Sequence, residues 1–159
     1  MTTIGRRLAV LGITIPSVNP PQGNYLSYVR TGSLIFVAGQ GPRRDGQLVY
    51  KGVVGGTLGV EDGENAARIC AINILSQLLH ACDGDLSKIR QMVRIAGFVR
   101  CTESFEDQTR VLNAASNLIC DVLGDAGKHA RIASGTHALP SGMAVEIEAV
   151  AEIASRRSY

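Results

Sequence analysis

The chain has 159 residues, of which 45% are hydrophobic, and its 16 basic and 14 acidic side chains leave a formal charge of +2. That length suits one domain with a real core. The near balance of charge argues against a nucleic-acid protein, which would show a basic stripe.

Taken in chain order, residues 3–12 read as a short helix, with Leu8 and Leu11 three apart and Gly12 as its stop. The apolar run 8–15 follows Arg6-Arg7, is broken by Gly12, ends at Pro16 and has no small-residue cleavage site. It does not read as a signal peptide, and no segment is long enough to span a membrane. Residues 13–23 form a linker rich in proline and polar residues. A strand over 25–30, a turn at Thr31-Gly32-Ser33 and a buried strand over 34–38 come next. Gly39-Gln40-Gly41-Pro42 ends that strand, 43–46 is a turn, and 48–51 is a short edge strand.

The strongest helix signal covers Val60–Ala81. Ala67, Ala71, Ile74, Leu75 and Leu78 repeat at helical spacing, and Glu61, Asp62 and Glu64 occupy the first turns, where the dipole favours them. A third strand is expected over 91–99. A second long helix, from 105 to about 123, turns Val111, Leu112, Ala115, Leu118, Ile119 and Val122 inward, and Gly124 stops it. Two final strands, one around Arg131 and one around Glu146, are expected to form a hairpin about a tight turn at 139–142. The last strand alternates: Val145, Ile147, Ala149, Ala151 and Ile153 point one way, and Ala144, Glu146, Glu148, Val150 and Glu152 the other. The order β-β-α-β-α-β-β predicts an α+β domain with two helices on one face of a mixed sheet. The uncovered face, holding Glu146, Glu148, Val150 and whichever of Arg131, Ala133 and Gly135 point that way, is expected to be an interface between copies.

Trp is absent and aromatics are 4%, so the core must be aliphatic. Cys70, Cys82, Cys101 and Cys120 have no CxxC or CxxH spacing. They read as small buried residues in a reducing compartment, not as metal ligands.

Ala130-Arg131, then Leu139-Pro140, then Val145-Glu146-Ile147-Glu148 resembles the C-terminal signature of the RidA (YjgF/YER057c/UK114) family, also called endoribonuclease L-PSP. The resemblance covers roughly residues 24–153. It implies a chorismate-mutase-like fold, a homotrimer, and an enamine/imine deaminase. The short helix and linker of residues 1–23 lie outside the shorter members and look like the longer subgroup, which leaves 24–159 as a single RidA-like domain.

The same resemblance implies a site. Arg131 matches the arginine that binds the substrate carboxylate, and Glu146 the glutamate associated with the hydrolytic water. Tyr25 matches a ligand-contacting tyrosine, Gly39 and Gln40 with Pro42 match the GQ-x-P element, and Asn113 matches an asparagine of the second helix. Ala133 stands where many members carry cysteine, so a backbone carbonyl is kept and a thiol is lost. His129 stands where the family usually has proline. Read without the family, Tyr25 is a strand aromatic, Gly39 a turn glycine, Asn113 a surface residue, His129 a loop histidine, and Arg131 and Glu146 two solvated charges.

The implied chemistry places a 2-imino or enamine acid on Arg131, with Glu146 accepting a proton from the attacking water. Neither metal nor organic cofactor is needed. The expected partners are a small carboxylate substrate and further copies of the chain, with no nucleic acid and no membrane, in the cytoplasm. The alternatives are a carboxylate-binding trimer without turnover and an endoribonuclease or translation inhibitor, which would need a basic groove or stacking aromatics. Arg131 and Glu146 stand fifteen positions apart. In a regular hairpin Arg131 would pair near Val150 or Ala151, leaving Glu146 about 13–17 Å along the ladder. Each pocket is therefore expected to span two subunits.

Overall fold

The computed structural model of the chain describes residues 2–154; residue 1 and residues 155–159, the end of the expected domain, lie outside the described residues. Helix α1 (Thr3–Val10) is capped by Thr2, whose hydroxyl accepts from the Gly5 N–H at 3.0 Å. Strands β1 (Tyr28–Thr31) and β2 (Leu34–Gln40) pair as a hairpin about Gly32. A small ribbon, β3 (Arg43–Arg44) and β4 (Gln47–Leu48), precedes α2 (Val60–Ala81). The Asp62 carboxylate accepts from the Gly59 N–H at 2.9 Å and closes the first turn of α2. Then come β5 (Ile89–Arg100), α3 (Gln108–Leu123), β6 (Ala130–Thr136) and β7 (Val145–Ile153).

Helix α2 has the expected bounds, and α3 ends where expected but begins only at Gln108. Strand β1 starts at Tyr28, so Tyr25 precedes the sheet; β2 runs on to Gln40 and β5 extends over both expected ends. Of the expected edge strand at 48–51, only Leu48 is in a strand, while Lys51 makes a lone bridge to Met143.

The sheet order is β1-β2-β7-β5-β6, with β5 and β6 parallel and every other pair antiparallel. The expected hairpin of the last two strands is therefore incorrect: β5 lies between β6 and β7. Strand β7 buries one whole face in aliphatic side chains and finds partners along both edges, β2 and β5. Strand β6, with small and polar residues, takes the edge. The connection between them crosses the end of β5, where the Arg100 guanidinium donates to the Gly142 carbonyl at 3.1 Å. Ser141 and Gly142 at positive φ bend it there.

Helices α2 and α3 cover one face, and α1 packs against α3, with the Arg7 guanidinium donating to the Val122 carbonyl at 3.3 Å in its last turn. The core between helices and sheet is aliphatic. Leu112 sits so close over β5 that a Cβ on Gly97 would fall 2.2 Å from its Cδ1. Cys70 and Cys82 are buried, but Cys101 and Cys120 are only half-buried. No helix among the described residues is long and apolar enough to cross a membrane.

Candidate active site

A cavity of about 360 Å³ opens at the end of the sheet where β2 stops and β7 starts, and Tyr25, Gly39, Gln40 and Glu146 line it. The alternation of β7 sends Glu146 away from the helices, opposite Phe98 of β5. Strand β2 bulges between Val37 and Gln40, which pair with Ala149 and Ile147. Gly39 lies in that bulge, and the Glu146 carboxylate lies directly over it: a Cβ at Gly39 would sit 2.5 Å from Oε1. Gln40 is buried and donates from Nε2 to the Ala38 carbonyl at 3.0 Å, tying off the bulge. Burial, and secondarily the neighbouring Glu148 charge, raise the Glu146 pKa from its ordinary value. A carboxylate raised in this way is suited to exchanging a proton with a water or a substrate nitrogen.

The other wall comes from the segment before the sheet. Asn19, Pro20, Pro21 and Gln22 line the cavity. Their path is fixed by polar side chains buried on α2. Ser76 Oγ donates to the Pro16 carbonyl at 2.8 Å, and Gln77 Nε2 to the Asn19 carbonyl at 3.0 Å. One turn earlier, Asn73 Nδ2 donates to the Gly41 and Arg43 carbonyls, both at 3.0 Å. The half-exposed Tyr25 accepts from the Gln22 N–H at 3.2 Å through its hydroxyl.

Arg131 lies elsewhere. Its register partner on β5 is Ile95, fully buried beneath the helices, so Arg131 leaves the sheet on the helix side. There its Nη1 donates to Asn113 Oδ1 at 2.9 Å and to Ser116 Oγ at 3.0 Å, both on α3. Ser116 Oγ is in turn 2.9 Å from His129 Nε2. Ala133 faces the same side, half-buried against the core and opposite Gly97. Arg131, Ala133 and Gly135 thus all lie toward the helices; Ala130, Ile132, Ser134 and Thr136 are the β6 residues on the open face.

The expected site residues therefore fall into two sets: Tyr25, Gly39, Gln40 and Glu146 around the cavity, and Arg131, Asn113 and Ala133 on the far edge of the sheet. Glu146 is level with Ser134, three residues beyond Arg131 on β6. That is roughly 10 Å along the strand and roughly 10 Å across two strand spacings, on opposite faces. Within one chain the two groups do not meet, for a different reason than the hairpin register suggested. The sequence does not show the roles of Ser116, Asn73, Ser76 and Gln77; His129 stands, as expected, in the loop before β6. The α2 set had a signal: Asn73, Ser76 and Gln77, at i, i+3 and i+4, interrupt the apolar stripe of a helix whose buried face holds them.

A family model described as "YjgF/chorismate_mutase-like, putative endoribonuclease" matches residues 5–153. The chain belongs to the YjgF/RidA family. Its likeness extends along the full length in two relatives. Protein TCP17 of Trypanosoma cruzi is 40% identical over 151 residues, 94% of each chain. The crystal structure of protein Atu1372 from Agrobacterium tumefaciens is 43% identical, with 95% of this chain and 92% of that one covered and a TM-score of 0.90. The YjgF gene product of E. coli, at 22% identity, shares the fold with a TM-score of 0.61 over 88% of this chain and 98% of its own. Within the family, the chain sits with the longer members.

Proposed function

We propose that the chain hydrolyses 2-imino and enamine acids to 2-oxo acids and ammonia, as a homotrimer whose pockets are shared between neighbouring copies. The observation that carries this reading is Glu146: a half-buried carboxyl with a raised pKa, held over a glycine and facing a cavity of small-molecule size. Arg131 of an adjacent copy supplies the carboxylate anchor. The open sheet face, where Val29, Phe36 and Ile132 are exposed, is the surface on which copies associate.

In the reaction the imino acid seats its carboxylate on Arg131, which fixes its C=N carbon beside a water in the Glu146 cavity. Glu146 takes a proton from that water as its oxygen bonds to carbon. The tetrahedral carbinolamine forms, and the same proton passes to nitrogen. The carbinolamine hydroxyl then gives its proton, by way of Glu146, to the amine nitrogen as the C–N bond breaks, so that ammonia leaves and the 2-oxo acid remains. Water is the only co-reactant. Imines hydrolyse readily in water, so the protein has a modest barrier to lower. The buried Cys70 and Cys82, and Cys101 and Cys120 with no partner cysteine, suit a reducing cytoplasm.

The test is ammonia release from imines generated in situ from several amino acids, run beside Arg131→Ala. The parent should accelerate release and Arg131→Ala should not. A parent that binds 2-oxobutanoate but leaves imine decay at its spontaneous rate would instead be a carboxylate-binding trimer. RNA cleavage that survives Glu146→Gln and Arg131→Ala would place the activity elsewhere.

A further inference from the structure

Arg131 is not a free side chain on an edge strand. Its Nη1 carries two hydrogens and both are committed, one to Asn113 Oδ1 at 2.9 Å and one to Ser116 Oγ at 3.0 Å. The Ser116 hydroxyl is committed as well. His129 Nδ1 lies 2.6 Å from the Gly127 carbonyl, which can only accept, so Nδ1 carries a proton. In the neutral ring Nε2 is then an acceptor, and Ser116, 2.9 Å away, donates to it. The lone pairs of Ser116 Oγ are left for the guanidinium. The chain of bonds runs in one direction, from Arg131 through Ser116 and His129 to Gly127. Its far end is fixed, because Gly127 lies so close to α3 that a Cβ there would be 2.7 Å from the Ile119 carbonyl oxygen.

Among the described residues nothing accepts from Arg131 Nε or Nη2. Their hydrogens point the same way, with the spacing of two carboxylate oxygens. We propose that Ser116 and His129 are positioning residues that hold Nη1 of Arg131 so that its Nε–Nη2 edge faces the substrate carboxylate. This rests on Arg131 being the carboxylate anchor. A long, flexible side chain fixed before binding loses less rotamer freedom when the ligand arrives. His129, in the loop before β6 as expected, thus has a defined role.

Two readouts on the full chain test the proposal. The first is rotation of the Arg131 guanidinium about Nε–Cζ, which exchanges Nη1 with Nη2, followed by ¹⁵N NMR. It should be slow in the parent, fast in Ser116→Ala and His129→Phe, and slow again in Ser116→Thr, which restores a hydroxyl. The second is titration with 2-oxobutanoate. Ser116→Ala and His129→Phe should each weaken binding about tenfold, as expected for loss of one charge-assisted hydrogen bond. The double variant should be no weaker than Ser116→Ala alone, because the two act through one chain of bonds. Unchanged rotation in Ser116→Ala, or equal loss of binding in Ser116→Ala and Ser116→Thr, overturns the proposal. A parent with Ser116-dependent rotation that nevertheless ignores 2-oxobutanoate supports the positioning of Arg131 while rejecting the hydrolase reading.

Discussion

On the helix side of β7, Val145, Ile147, Ala149, Ala151 and Ile153 are at most 3% exposed; on its other side Glu146, Glu148, Val150 and Glu152 are half-buried or exposed. One strand serves both faces by a strict period of two. The helix side is a matter of shape: aliphatic side chains fill the space under α2 and α3, and Gly97 leaves room for Leu112. The open side combines carboxylates with Val29, Phe36 and Ile132, each 45–50% exposed. That mixture is poor as a core and serviceable as a surface on which copies meet around a polar pocket. Changes on the first face should cost stability; changes on the second should cost assembly and turnover.

The largest stability effect is expected at Leu112, which is fully buried. Leu112→Ala should lower unfolding free energy by about 2–5 kcal/mol in denaturant titration, with oligomeric mass unchanged where the chain is folded. On the open face Phe36→Glu should do the reverse. Light scattering should show one chain's mass in place of three, with the core's unfolding signature retained. Gly39→Ala is subtler: its new methyl competes with the Glu146 carboxylate for one place, so kcat should fall while the mass stays that of the parent. The smallest effect is the pH dependence of stability at Glu146. Its native pKa lies above its unfolded value, so between the two the folded state holds the extra proton and stability falls as pH rises. Glu146→Gln removes that loss. Its melting temperature should exceed the parent's slightly at neutral pH, and the two should converge below about pH 4, under the ordinary glutamate range.

Much of the helix face was legible in the sequence. Acidic residues in the first turn and aliphatic repeats through Leu78 mark α2 to its ends, and the alternation of β7 states which side is buried. Alternation names a strand's face but not its neighbour, and residues 139–142 look alike whether they close a hairpin or cross another strand. Hence β5, inserted between β6 and β7, was not foreseen. Strand β6 has too little hydrophobic contrast to show which way Arg131 points; only its register with β5 decides that. Glu146, Gly39 and Gln40 were legible as a group through the family's signature. The cavity wall at 19–22 was not, because what holds it is a set of buried polar side chains on a distant helix.

A pocket completed by Arg131 from one chain and Glu146 from another can be tested by complementation. Arg131→Ala and Glu146→Gln, each inactive alone, can be mixed in equal amounts under conditions of subunit exchange. In a cyclic trimer every mixed assembly then holds one intact pocket, so random mixing should restore about a quarter of the parent's ammonia release. No recovery in trimers shown by mass to be mixed would mean that the two residues do not complete a pocket across the interface, or that Glu146 is not catalytic.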